Sequence, residues 1–204
     1  RRLYDNSEEA DFITQQEMWR VLYDDYALLL TPYEEKEIRR FKDAAVEEDP
    51  ARWIKRFIVR RQYDRAIEFC DDVTQAINKL PEEQRDSWQR PINASERSIW
   101  RGYARIMQGK GVSSAVEEIE RALQSLEKAR DLDEKARIRQ SRIIGIGYNF
   151  AGYGYAASLG QFNKAVDTYG KALWFTRKTR STAQQAGIRN NLARALASVG
   201  REER

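Results

Sequence analysis

The sequence predicts an all-α chain in which similar helix pairs stack one on the next as a solenoid. Three observations carry this. A helix-turn-helix pattern of large and small apolar residues occurs three times and begins a fourth. Apolar residues recur at spacings of three, four and seven, as on one face of a helix. The 204 residues are 41% hydrophobic and 33% charged with only 11 Gly and 4 Pro, which supplies one apolar stripe per helix and few breakers.

Residues 1–49 are expected to form an acidic helical lead-in or cap outside the repeat. A first helix from Ser7 to Leu30 places Phe12, Trp19, Leu22, Tyr23 and Tyr26 on one face. Thr31-Pro32-Tyr33-Glu34 has the form of a capping box with Pro at the first helical position, so a new helix begins there. Asp49-Pro50 opens the next in the same way. The repeat array then covers 50–204, as units of about 50–80, 94–131 and 134–179 and a truncated unit over 182–204.

In the first unit Trp53-Ile54-x2-Phe57 is followed by Ala66. In the second, Trp100-x2-Tyr103-Ala104-x2-Met107 leads to Gly111 and then Ala115-x3-Ile119-x2-Ala122. The third runs Tyr148-x2-Ala151-Gly152-x2-Tyr155, Gly160, Ala165-x3-Tyr169-x2-Ala172. The fourth begins Arg189-x2-Leu192-Ala193-x2-Leu196 and reaches Gly200. Small residues (Ala104, Gly152, Ala193) are expected where two helices cross closely, with the large ones filling the volume around them. Ala66, Ala115 and Ala165 do the same for second helices. Gly111, Gly160 and Gly200 are expected to end first helices in a left-handed conformation.

This pattern resembles the tetratricopeptide signature W-x2-L-G-x2-Y…A-x3-F, a family whose helix pairs wind into a right-handed superhelix with a protein-binding inner wall. The spacing departs from the family's 34 residues: Ala66 to Ala115 is 49, Ala115 to Ala165 is 50, and Gly160 to Gly200 is 40. An extra segment from Pro81 to Trp88 and extended helices around Asp133 to Ile144 take up the difference. The third unit carries one surplus residue before Gly160. Long, irregular repeats of this kind, with Asn190-Asn191-Leu192-Ala193 before Gly200, are similar to those of bacterial multidomain (STAND-type) signalling ATPases. The chain opens on Arg1 and closes within a fourth unit, as expected of a fragment of a longer signalling or regulatory protein.

Charge is uneven. Residues 1–50 carry a net −7, and between Lys135 and Arg194 eleven basic residues face a single acid, Asp167. Such a bias attracts anionic partners. Chemistry is largely excluded. Without histidine there is no Ser-His-Asp or Cys-His arrangement and little scope for zinc. Gly145-x-Gly147 and Gly152-x-Gly154 lie in helical pattern without a preceding strand or following Lys-Ser/Thr, so neither is a phosphate loop. Adjacent carboxylates such as Asp24-Asp25, Asp71-Asp72 and Glu117-Glu118 point about 100° apart on a helix and share no site. The lone Cys70, beside Phe69, reads as a small buried residue in a reducing compartment. No apolar run reaches the roughly 18 residues that cross a bilayer. A cytoplasmic, non-enzymatic protein with no cofactor or metal is expected.

In the tetratricopeptide family the first helix of each pair lines the concave wall, and two of its exposed positions follow the opening Trp-type site by one and five residues. The resemblance therefore implies Ala51, Arg101, Asn149 and Asn190 at the first position, and Lys55, Arg105, Tyr153 and Arg194 at the second. Four cations, two asparagines, a tyrosine and no acid suit an extended acidic or carboxylate-bearing peptide. Two alternatives stay open. The aromatics Tyr148, Phe150, Tyr153, Tyr155, Phe162, Tyr169, Trp174 and Phe175 among basic residues over 135–194 suit nucleic acid. Alternatively, the repeats pack only within their parent chain and restrain an adjacent ATPase or effector domain.

Overall fold

In a computed structural model, which describes residues 50–79, 82, 91–130, 132–179 and 182–202, the chain is helical, and no strand occurs among the described residues. The expected lead-in over 1–49 and, Glu82 apart, the inserted segment Pro81 to Trp88 lie outside the described residues. Three helix pairs follow in order: α1 (Pro50–Val59) with α2 (Tyr63–Lys79), α3 (Pro91–Gln108) with α4 (Val112–Lys128), and α5 (Glu134–Tyr153) with α6 (Phe162–Lys178). A last helix, α7 (Thr182–Glu202), packs on α6. Each helix packs against the next, and the odd-numbered helices also touch one another, α1 against α3 and α3 against α5.

Local chemistry sets the ends. Asp133 caps α5, its carboxylate accepting a hydrogen bond from the Ala136 amide at 2.7 Å. Beyond α1, the Gln62 amide donates to the Phe57 carbonyl at 2.8 Å and the Arg61 amide to Ile58 at 2.9 Å, with Arg61 itself left-handed at φ 57°. That is the Schellman arrangement, closed here by arginine instead of glycine. Inside α4, Ala115, Val116, Ile119, Ala122, Leu123 and Leu126 form one buried stripe at spacings of three and four.

The second helices of the second and third pairs repeat at an offset of 50: α4 spans 112–128 and α6 spans 162–178, each 17 residues. Buried Ala115, Ile119, Ala122 and Leu126 answer to buried Ala165, Tyr169, Ala172 and Thr176. The close crossings also match. A β-carbon on Gly102 would meet Ile119 at 2.6 Å, and one on Gly152 would meet Tyr169 at 2.7 Å. So Gly102, not Ala104, is the counterpart of Gly152. Ala104 joins the core of the first pair, with Ile54, Phe57, Phe69, Cys70 and Val73.

The same offset revises the alignment of first helices. Motif spacing sets Trp100 against Tyr148; the helices set it against Phe150, which lies edge-on to Trp100 at 4.9 Å and stacks on Tyr103 at 3.8 Å. In this register the surplus residue before Gly160 disappears: Gly152 to Ala165 spans the same 13 positions as Gly102 to Ala115, and the third pair differs only in forming a π-helical turn over Gly154–Ser158. The chain then turns at left-handed Gly160 (φ 64°), as it does at Gly109 (φ 71°) and Gly111 (φ 57°) in the preceding pair.

Two expectations fail in α7. Gly200 does not end a helix in a left-handed conformation; it lies within α7, whose span runs on to Glu202. Ala193 is exposed instead of sitting at a crossing. The face that α7 buries against the third pair is Ile188, Leu192 and Ala195, and Ala193 points about 100° away from Leu192 around the helix.

Candidate binding groove

On α3, Glu96, Trp100 and Tyr103 turn toward the other odd-numbered helices. Glu96 is the centre of an ion-pair chain across three of them: Lys55 Nζ of α1 stands 2.9 Å from Glu96 Oε1, and Arg139 Nη2 of α5 2.8 Å from Oε2. The Glu96 side chain is only 5% exposed. Burial alone would raise its pKa, but the two cations outweigh burial and hold the carboxyl below its usual range. Lys55 also lies over the Trp100 ring, 5.3 Å from its centroid. Trp100, Tyr103 and Phe150 continue this surface as an aromatic cluster.

Further along, α5 and α7 approach each other. Asn191 Nδ2 donates to Asn149 Oδ1 at 3.1 Å. Beside this bond lies a cleft of about 220 Å³ lined by Tyr153, Phe162, Tyr169, Asn191, Arg194 and Ser198, with alanines filling its walls. Buried Tyr169 makes the floor. Burial pushes its hydroxyl up to about 12, Tyr153 pushes the same way, and the charge of Arg194 opposes them. Among the described residues no carboxylate pairs with Arg194, which is exposed. An aromatic floor, an amide, a hydroxyl and a guanidinium can together hold a carboxylate with an attached apolar group.

Of the residues chosen from the sequence, the structure brings together Tyr153 and Arg194 in this cleft and places Asn149 at its edge. Asn190 is exposed and outside the cleft lining; its neighbour Asn191 takes the position. Lys55 lies on α1, engaged with Glu96. Arg101 and Arg105 are elsewhere. Arg101 bridges Asp71 of α2 (2.8 Å) and Glu118 of α4 (3.0 Å), and Arg105 reaches Glu118 (3.0 Å) and Ser114 (2.7 Å). At 3.6 residues per turn, Arg101 stands roughly 140° from Glu96 and 160° from Tyr103 around α3. These arginines therefore face the second helices, and their charge is already matched by acids. The two-residue difference in register is the reason: Tyr153 answers to Tyr103, not to Arg105. Motif spacing singles out neither Asn191 nor Ser198: it sets Asn190 on the inner wall, one residue out of register with the asparagine that lines the cleft.

The even-helix side carries its own pattern. Tyr155 of the π-turn donates to Glu120 at 2.6 Å and Tyr148 of α5 to Glu127 at 2.7 Å, joining both segments to α4. Lys164 and Lys171 of α6 lie over the same two rings, each 5.5 Å from the centroid. Lys178 covers Trp174 at 3.4 Å. Burial and these carboxylate bonds raise the pKa of both tyrosines.

Cys70 is buried, and burial pushes its thiol up to about 12, far from a reactive thiolate. Gly145 and Gly147 are helix-packing residues, against Thr176 and against Leu123 and Ile99. Among the described residues no group of His, Cys, Asp or Glu is placed to hold a metal ion, and no helix is long and apolar enough to cross a membrane. Comparison with known proteins finds no matching family, no similar characterised sequence and no similar solved structure.

Proposed function

We propose that this chain is a non-enzymatic, tetratricopeptide-like solenoid segment that binds an extended peptide or protein segment along the face made by α1, α3, α5 and α7. The observation that carries the reading is the cleft between α5 and α7, where Arg194, in no ion pair among the described residues, stands with Asn191, Ser198 and Tyr153 over the buried ring of Tyr169. The ligand it fits is anionic, with a carboxylate at or near the residue that enters the cleft. Repeated pairs at a 50-residue offset support the scaffold: equivalent odd helices are presented side by side, so one extended chain contacts several of them. A cytoplasmic setting within a larger signalling or regulatory protein fits this role.

The test uses labelled peptides ending in an aliphatic residue with a free carboxylate, the same peptides amidated, and single-stranded RNA as competitor. Fluorescence anisotropy is expected to show saturable binding of the free-carboxylate form, weaker binding when amidated, and no displacement by RNA at physiological salt. Displacement of the peptide by RNA, or equal binding of both peptide forms, would count against the proposal.

A further inference from the structure

The seam between the first and second helix of a pair is filled in one repeat and open in the repeat before it. In the α5–α6 seam, Tyr148 stacks on Phe175 with ring centroids 5.9 Å apart, and Lys171 covers the Tyr148 ring. Fifty residues earlier the same positions are Ser98, Ser125 and Arg121. The equivalence does not rest on numbering alone. Gly102 meets Ile119 as Gly152 meets Tyr169, and Arg105 meets Ser114 where Tyr155 meets Lys164. Replacing two rings by two hydroxymethyl groups leaves a cleft of about 560 Å³ between α3 and α4, lined by Ser98, Ser125, Ser114, Arg105, Arg121 and Glu118 among others.

We infer that this α3–α4 cleft receives an aromatic side chain, tyrosine or phenylalanine, of a protein partner, in the place that Tyr148 and Phe175 fill in the next pair. The repeat itself shows that the backbone framework accommodates rings there. Two of the cleft's cations are fixed: Arg101 and Arg105 are both bonded to Glu118 and hold one wall rigid. Arg121 is exposed, with a long hydrogen bond, 3.4 Å, from its Nε to the Glu117 carbonyl of its own helix. It stands where Lys171 stands in the filled seam, so its guanidinium covers an inserted ring by the same cation–π contact. The serines and Glu118 offer acceptors to a phenol hydroxyl, as Glu127 does to Tyr148. A ring-accepting cleft on this side is independent of the groove along the odd helices, and either holds without the other.

The experiment is a titration of the isotope-labelled 204-residue chain with N-acetyl-tyrosinamide, followed by backbone amide NMR, with N-acetyl-leucinamide as control. Free side-chain mimics bind weakly, so millimolar concentrations are used. The expected result is saturable shifts confined to the amides around Ser98, Ser114, Arg121 and Ser125 with the tyrosine compound only. Arg121→Ala, on an exposed face and so harmless to the fold, weakens them several-fold. The double substitution Ser98→Tyr, Ser125→Phe copies the filled seam; it abolishes the shifts and raises the melting temperature. Shifts spread over the whole surface, equal shifts with the leucine compound, or binding unchanged by Arg121→Ala would overturn the inference, whether or not the filled variant folds.

Discussion

Gly152 lies directly beneath the ring of Tyr169, so close that a β-carbon on Gly152 would stand 2.7 Å from Cε1 and 2.8 Å from Cδ1. Tyr169 is 1% exposed and closed in by the core of the third pair, so the ring cannot move aside cheaply. The third pair is held at this crossing distance because Gly152 has no side chain.

Gly152→Ala is therefore expected to destabilise the chain. Overpacking of a dense core costs about 1–3 kcal/mol, more than the roughly 1 kcal/mol that alanine gains over glycine in a helix. Gly170, on the exposed face of α6 with nothing within 4 Å of its missing β-carbon, is the control. Gly170→Ala should stabilise by about 0.5–1 kcal/mol. Urea unfolding of the two variants checks both signs.

Ala165 should tolerate no larger residue. It is fully buried at the head of α6, at the position that Ala115 holds in α4. Ala165→Leu is expected to cost on the order of 1–3 kcal/mol by overpacking. A calorimetric melt superimposing on that of the unsubstituted chain would show that the third crossing has room to spare.

Glu96 makes stability depend on acid. Its folded pKa lies below the ordinary carboxyl value of 4.5. The contribution is thus fully present above 4.5 and is lost as pH falls through the lower, folded value. Lys55 and Arg139 are 36% and 42% exposed, so solvent screens both contacts, and Glu96→Gln should cost roughly 1–3 kcal/mol at neutral pH. The same substitution should flatten the fall in unfolding free energy between neutral and acidic pH. Parallel pH profiles for Glu96→Gln and the unsubstituted chain would mean that the ion-pair chain does not couple the odd helices.

What was legible in the sequence follows from how strongly each signal is tied to packing. Ala115, Ile119 and Ala122, and their partners Ala165, Tyr169 and Ala172, form one stripe facing one neighbour, so spacing alone located both second helices. First helices are harder because they pack on two sides. Trp100 and Tyr103 face the odd helices while Tyr148 and Tyr155 face the even ones, and a motif written in large residues matches either set. That ambiguity moved the first-helix register by two positions and gathered Arg101 and Arg105 into a groove whose side they do not share. The surplus residue before Gly160 was a product of the same shifted register, and the π-turn at Gly154–Ser158 has no signal in the spacing. Gly200 misled for another reason: glycine after an apolar stretch permits a helix to end but does not require it.

The distinction between the two faces of α3 also gives the most direct test of the proposed binding role. Titrating an acidic, free-carboxylate peptide by calorimetry into the unsubstituted chain, Arg194→Glu and Arg105→Glu separates them. A charged hydrogen bond contributes roughly 1.5–3 kcal/mol, or about 10- to 150-fold in affinity, so charge reversal at Arg194 should abolish measurable binding. Arg105→Glu, on the face turned toward Glu118, should bind within about twofold of the original, a difference of under 0.5 kcal/mol. Full binding by Arg194→Glu, or loss confined to Arg105→Glu, would contradict the account and move the partner's site to the other side of the helix pairs.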